Sequence, residues 1–199
     1  MQQLMTATLS ILAGAYLLGC IVGAYYIVRL RTGADIRAVG SGNAGARNVA
    51  RVVGWPDAVA VLLFDAAKGA TAVWLAHRLV AREWSGGLAL SATIAGHIWP
   101  IQLGRRGGKG AATMLGGLAV IDPLATGALL GLGATLTLVT DRLTVSGLVA
   151  IALAAPALVL FRHSWPSVVT IGLASAIVLV AHHPIIDASR SPHREEKRP

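Results

Sequence analysis

The first 28 residues carry no charged side chain, and Arg29 and Arg31 follow at once. As a helix, such a run crosses about 30 Å of hydrocarbon. It is too long for a cleavable secretory signal and lacks the basic segment that precedes one. Further apolar stretches recur at about 53–79, 87–103, 124–140, 143–161 and 167–181, with a shorter one at 111–121. This spacing predicts one all-α, polytopic membrane helix bundle over 1–185, followed by a charged tail at 186–199.

Composition agrees. Charged residues make up 13% of the chain and hydrophobic ones 55%, whereas ordinary globular domains carry about 25% charged residues. The net charge of +8 does not point to nucleic acid, because the arginines gather in short loops between apolar spans. Cys20 is the single cysteine and lies within an apolar run. It excludes an internal disulfide or a cysteine metal cluster and reads as a packed core thiol.

Loop charge sets the orientation. The 29–51 loop holds five arginines against one acid, Asp35, which places it in the cytoplasm and the N-terminus outside. Asp122-Pro123 divides 111–140 into a short helix and a full span, because proline ends a helix before it. Seven helical elements result, with the C-terminus inside. Thirteen of the seventeen lysines and arginines then face the cytoplasm, three face outside, and Lys68 lies within a span. Gly19 and Gly23 form a small-xxx-small pair for helix packing.

Two glycine-rich basic strings lie between these spans. The first is Gly40-Ser-Gly-Asn-Ala-Gly-Ala-Arg-Asn-Val-Ala-Arg51. Ser41, Asn43 and Asn48 can hydrogen-bond phosphate oxygens, Arg47 and Arg51 can pair with them, and Gly42 and Gly45 leave backbone amides accessible. An arginine pair alone would mark only a positive-inside loop. The second string ends in Gly107-Gly-Lys-Gly110 and opens into a helix through Thr113. The free amides of that helix start face any bound anion, and Lys109 adds a full charge. It is not a Walker A loop: Leu103 replaces the first glycine, and Gly110 the magnesium-holding hydroxyl.

Five further residues bear on the chemistry. Asp65 and Lys68 share a helix face inside a span, where a charge pairs or serves function; an internal ion pair and substrate contact are equally compatible with that spacing. His97 stands near the inner end of its span. His182 and His183 open the tail on different helix faces, and no cysteine or acid has ligand spacing around them, so no metal is expected.

Asp35-Ile-Arg-Ala-Val-Gly-Ser-Gly-Asn-Ala-Gly-Ala-Arg-Asn-Val-Ala-Arg51, Asp65-Ala-Ala-Lys-Gly69 and Gly96-His-Ile-Trp-Pro, followed by Gly107-Gly-Lys-Gly-Ala-Ala-Thr113, resemble the bacterial acyl-phosphate-dependent glycerol-3-phosphate acyltransferases. The match runs in order over nearly the whole chain. The resemblance implies a seven-helix inner-membrane enzyme with a cytoplasmic active site. It would move a fatty acyl group from acyl phosphate to the 1-hydroxyl of glycerol 3-phosphate, giving lysophosphatidic acid and phosphate. No cofactor, nucleic acid or obligate protein partner is implied.

Within that expectation Ser41, Arg51, Lys109 and His182 are the catalytic candidates. Gly42, Asn43, Gly45, Arg47, Asn48, Asp65, Lys68, His97, Gly107, Gly108, Gly110, Thr113 and Ser146 are the substrate and phosphate-binding candidates. Acyl phosphate is already activated, so no enzyme nucleophile is demanded. The sequence departs from the family pattern at Ala44, where proline is usual, and at Arg47, where threonine is frequent. It departs again at Ile185, where an asparagine follows the tail histidine, and the serine of the sixth helix is matched by Ser146 or Thr144. The alternatives are a homologue with another acceptor and a transporter of a phosphorylated solute.

Overall fold

The computed structural model describes residues 1–183. Ile185 and the 186–199 tail lie outside the described residues. Among the described residues the chain is entirely helical: α1 (Gln2–Cys20), α2 (Gly23–Thr32), α3 (Ala46–Val52), α4 (Trp55–Leu79), α5 (Ser85–Ile98), α6 (Ala111–Ile121), α7 (Pro123–Thr140), α8 (Leu143–Ala152), α9 (Ala154–Leu160) and α10 (Trp165–Ala181). Single 3-10 turns at Ile36–Ala38 and Ile101–Leu103 shape the two glycine-rich loops.

The first span is not the uninterrupted helix its composition predicts. Ile21 and Val22 adopt extended backbone angles between α1 and α2. A break in an apolar helix strands carbonyls that lipid cannot satisfy. Here partners come from elsewhere: Lys68 Nζ donates to the carbonyls of Gly19 and Ile21 at 3.3 and 3.1 Å, and the Gln102 amide donates to that of Cys20. Gly19 and Gly23 therefore do not form one packing face. Gly19 lies against the Thr93 backbone of α5, and Gly23 against the Phe64 ring of α4.

Proline and aspartate end the later helices as expected. Asp122 caps α7 by accepting from the Ala125 amide at 2.8 Å, with Pro123 at its first position. The stretch 143–161 is two helices, α8 and α9, bent by 46°. Pro156 lacks the N–H that would have continued the ladder to Ala152.

Small residues let the helices approach closely. A methyl group on Gly116 would lie 1.9 Å from the Ala66 carbonyl oxygen, and one on Gly69 would lie 2.1 Å from that of Thr113, so α4 and α6 meet backbone to backbone. The main core gathers Leu90, Ile94, Met114, Leu118, Leu158 and Ile171 from α5, α6, α9 and α10. A second core of Val28, Ile36, Val49 and Val61 packs α2 and α3 against the start of α4.

The outer surface inverts the pattern of a water-soluble protein. Leu63, Leu138, Leu160 and Val169 are exposed, which suits a lipid solvent. Three helical segments, Gln2–Thr32 taken through its break, Trp55–Leu79 and Pro123–Thr140, are long and apolar enough to cross a membrane. The bent α8–α9 pair makes a fourth, and α6 and α10 are shorter apolar helices.

Candidate active site

The first glycine-rich loop is built around Asn48. Its side-chain amide donates to the carbonyls of Ile36 and Val39 at 3.2 and 3.0 Å, and its carbonyl oxygen accepts from the Ser41 amide at 2.8 Å. Asn48 is fully buried, and these bonds engage both ends of its amide in folding its own loop. Gly40 has φ +59°, and a methyl group there would lie 2.2 Å from Asn48 Oδ1, so only glycine fits. The result displays Ser41 at the surface, with Arg47 and Arg51 exposed one turn apart on α3.

Asp35 and Arg37 anchor the entry to this loop. The Arg37 guanidinium makes a two-pronged ion pair with Asp35, with bonds of 2.9 and 2.6 Å, and also reaches the Leu103 carbonyl of the second loop. The hydrogen bond from Arg37 holds the Asp35 carboxyl down at about 2. Arg37 is not among the site residues expected from the sequence, and the signal for it is the Asp-x-Arg spacing just ahead of the glycines.

The second loop is folded onto α5. Gly107 and Gly108 donate their amides to the carbonyls of Ile98 and His97 at 3.0 and 3.1 Å. Gly108 has no room for a side chain, since a methyl group would meet His97 Nε2 at 2.1 Å and the Ala44 carbonyl oxygen at 2.7 Å. Ala44 belongs to the first loop, so the two loops touch. Gly110 then turns the chain at φ +80° into α6, whose first acceptor is the Gly110 carbonyl for the Met114 amide. The amides of Ala111, Ala112 and Thr113 precede that bond and form the positive end of the helix. The Thr113 hydroxyl is buried without a hydrogen-bond partner.

The start of α6 also packs on α10. A methyl group on Gly110 would lie 3.6 Å from Val178 Cγ2. One turn later comes His182, nearly buried, whose Nδ1 bonds the Val178 carbonyl at 2.8 Å. A carbonyl only accepts, so Nδ1 carries the proton and Nε2 keeps its lone pair in the neutral ring. Burial lowers the His182 pKa below its ordinary value, against the bond to Val178, and the charge of Lys109 lowers it further. Lys109 is itself lowered by partial burial.

The α7–α8 turn closes the same end of the bundle. The Arg47 guanidinium hydrogen-bonds Thr144 Oγ1. Ser146 is buried, with its hydroxyl 3.4 Å from that of Thr140. Four separate stretches of chain thus meet: Ser41–Arg51, Gly107–Thr113, Thr144–Ser146 and Val178–His182. Asp65, Lys68 and His97 lie beneath them. Lys68 Nζ is 2.8 Å from Asp65 Oδ1 and 2.6 Å from His97 Nδ1, and all three side chains are buried. The described residues contain no cluster of three or more histidine, cysteine, aspartate or glutamate side chains able to hold a metal ion.

The sequence model of the glycerol-3-phosphate acyltransferase family matches residues 9–190. The chain belongs to the glycerol-3-phosphate acyltransferase family. Glycerol-3-phosphate acyltransferase 1 of Desulfitobacterium hafniense (strain Y51) is 43% identical over 176 residues, 87% of this chain and 86% of the relative. Glycerol-3-phosphate acyltransferase 1 of Bacillus cereus is 38% identical, over 84% of this chain and 92% of its own. The glycerol-3-phosphate acyltransferase of Shigella flexneri is 40% identical, over 85% of this chain and 82% of its own.

Solved structures give the same answer for the fold. PlsY (YgiH), an integral membrane glycerol 3-phosphate acyltransferase, superposes in its glycerol 3-phosphate form with a TM-score of 0.86 at 28% identity, covering 92% of both chains. Its lysophosphatidic acid form superposes with a TM-score of 0.84 at 26% identity, covering 92% of this chain and 91% of that one. As a glycerol-3-phosphate acyltransferase family member this chain is an integral membrane acyltransferase. Family membership favours an enzyme over the solute carrier that a buried Asp65–Lys68 pair also allowed.

Proposed function

We propose that this acyltransferase moves a fatty acyl group from acyl phosphate to the 1-hydroxyl of sn-glycerol 3-phosphate, releasing lysophosphatidic acid and inorganic phosphate. The observation that carries this reading is the meeting of two cationic glycine-rich loops with the His182 imidazole at one end of the bundle. Both substrates bring a phosphate, and two anion-binding walls face one histidine.

In this mechanism Ser41, Arg51 and the amides from Lys109 into the first turn of α6 hold the acyl-phosphate head, with the Lys109 ammonium beside the leaving oxygen. The Gly107 and Gly108 amides, expected from the sequence to join them, are already given to the Ile98 and His97 carbonyls. Gly42, Asn43, Gly45, Arg47 and Thr113 line the same anionic space, while Asn48 shapes it from below. The acceptor hydroxyl attacks the acyl carbonyl carbon, a new C–O ester bond forms, and the bond from the acyl carbon to the phosphate oxygen breaks. That oxygen leaves with the bonding electrons, and Lys109 and the α6 amides stabilise its growing charge. The hydroxyl proton passes to His182 Nε2 or to the phosphate of the acceptor itself. Orientation of two bound substrates supplies much of the rate, because the donor needs no further activation.

The same reading places seven helical elements in a bacterial inner membrane, N-terminus outside and C-terminus inside, with the active site toward the cytoplasm. Loop charge supports that orientation. The exposed Trp99 and Trp55 near the glycine-rich loops, and Trp74 and Trp165 near the other helix ends, suit two interfacial belts.

The test is phosphate release and lipid product from purified protein in nanodiscs, given acyl phosphate with glycerol 3-phosphate or with other polyol phosphates. Turnover that requires acyl phosphate and glycerol 3-phosphate together is the expected result. Turnover with acyl-thioester donors alone overturns the donor assignment, and preference for another polyol phosphate overturns the acceptor.

A further inference from the structure

Lys68 is the most enclosed cation in the described structure and touches no surface. Its side chain is 1% exposed, that of Asp65 4% and that of His97 3%. Three acceptors surround Nζ: the carbonyls of Gly19 and Ile21 at 3.3 and 3.1 Å, and His97 Nδ1 at 2.6 Å. Asp65 Oδ1, 2.8 Å from Nζ, supplies the counter-charge. An ammonium has three N–H bonds and no lone pair, so toward His97 Nδ1 it can only donate.

This has a consequence for His97. If Nδ1 accepts from Lys68, the neutral ring carries its proton on Nε2. Nδ1 is closer to Nζ than to Asp65 Oδ1, which lies 3.5 Å away. Nε2 is the ring atom that faces Gly108, close enough that a methyl group there would lie 2.1 Å from it. The backbone of His97 meanwhile accepts the Gly108 amide at 3.1 Å. The second loop is thus gripped by ring and carbonyl of one residue, and that ring is oriented by Lys68.

The same ammonium holds the carbonyls at the α1–α2 break, beyond which α2 leads into the first loop. One buried charge therefore ties together the roots of both glycine-rich loops, which meet at Ala44 and Gly108.

We propose that Lys68 is a positioning residue for the acyl transfer: by fixing His97 in its Nε2–H tautomer, it seats the Gly107–Gly108 wall against the first loop and sets affinity for the anionic acyl donor without touching it. This rests on the acyl-phosphate reading of the site. A reading that places Lys68 directly on substrate differs from it in what the histidine does when Lys68 is removed.

The experiment replaces the ion pair as a unit, Lys68→Met with Asp65→Leu, because removing Lys68 alone strands a buried carboxylate. Ring-nitrogen NMR of 15N-histidine-labelled protein in micelles, assigned with His97→Gln, reads the tautomer. The expected result is an Nε2–H ring at His97 in the parent and a mixed or reversed tautomer in the double variant. The KM for acyl phosphate should rise about ten- to a hundred-fold, as for a small displacement of a binding wall, while the KM for glycerol 3-phosphate stays within about twofold. His97→Asn keeps an acceptor near the Nδ1 position and should recover more donor affinity than His97→Ala.

An Nδ1–H ring in the parent, or an unchanged tautomer in the double variant, overturns the proposal. So does a double variant whose donor KM is unchanged, or in which both KM values rise alike while kcat and thermal stability fall together. If the parent shows no acyl-phosphate activity, the functional reading fails with the kinetic arm, while the tautomer measurement still judges the Lys68–His97 link.

Discussion

The carbonyl oxygen of Ala44 closes over Gly108, leaving a methyl group on Gly108 only 2.7 Å from it and 2.1 Å from His97 Nε2. Neither neighbour can swing away, because one is backbone and the other is a ring held by Lys68. Gly108→Ala must therefore push the two loops apart. We expect a stability loss of about 1–3 kcal/mol, typical of overpacking, and a larger loss in donor affinity than in acceptor affinity. Unfolding curves in detergent, with KM values for both substrates, check this.

Arg47 and Thr144 form the bridge from the first loop to α8. Thr144→Val removes the acceptor while keeping the shape. A hydrogen bond to a charged group contributes about 1.5–3 kcal/mol, so apparent affinity for the phosphate-bearing substrates should fall roughly tenfold. Arg47→Ala, which also removes a cation from the anionic space, should lose at least as much, and the double variant little more than Arg47→Ala. Fully additive losses would show that the two residues act separately.

The pH profile should carry the mark of His182. Its folded pKa lies below the ordinary 6.5, by burial first and Lys109 second. The neutral ring with a free Nε2 is the form above that lowered value. Activity should hold from pH 8 down through 7 and fall as protonation sets in below 6.5. Stability has the same sign: the unfolded chain takes up the proton first, so the contribution present above pH 6.5 is lost as pH falls through the folded value. If His182 takes the hydroxyl proton, His182→Gln should slow kcat by about 10²–10⁴-fold. A variant with near-parent kcat would assign the proton to the acceptor's own phosphate.

Asp35 has its carboxyl held at about 2 by the hydrogen bond from Arg37. The sign runs the same way: the anchoring is full above the ordinary carboxylate value, and it is lost as pH falls through about 2. Asp35→Asn removes it at every pH. Faster proteolysis within 33–45 and a weaker hold on Leu103 are expected, read by limited digestion in nanodiscs at pH 7.

On the side away from the glycine-rich loops, Asp122 caps α7 and bonds His163 Nε2 at 2.8 Å. Asp122→Ala should cost about 1–2 kcal/mol through the lost cap, with kinetic constants unchanged. Asp122→Asn, which retains a capping oxygen, should recover part of it. A change in either KM would tie this corner to the site.

Much of this arrangement is legible in the sequence, because charge, glycine and proline act locally. The division at Asp122-Pro123 and the loop-to-helix start after Gly110 each follow from residues within a few positions. What is not legible depends on distant partners. Nothing in the uncharged 1–28 announces a break at Ile21 and Val22, since its carbonyls are satisfied by Lys68 and Gln102, far along the chain. Asn48 reads as a phosphate ligand by type and position, yet its amide is bonded to the loop's own backbone. The bend at Leu153 was concealed for another reason: Pro156 falls in the first turn of α9, where proline is tolerated.

The eleven residues of α6 rise about 16 Å at 1.5 Å per residue, about half the depth of a bilayer core. Asp122, at its far end, is level with His163 in the turn before α10. The Gly110 end, packed on Ile94, Ile98 and Val178, therefore stands only about half a bilayer core in from the Asp122 end. On the proposed reaction, a lipid-borne donor would bring its headgroup to that end from within the leaflet, with its hydrocarbon tail staying among the lipids. The polar acceptor would come from water on the side of the glycine-rich loops. The two reactants would then arrive by separate routes, so neither would have to leave before the other could enter.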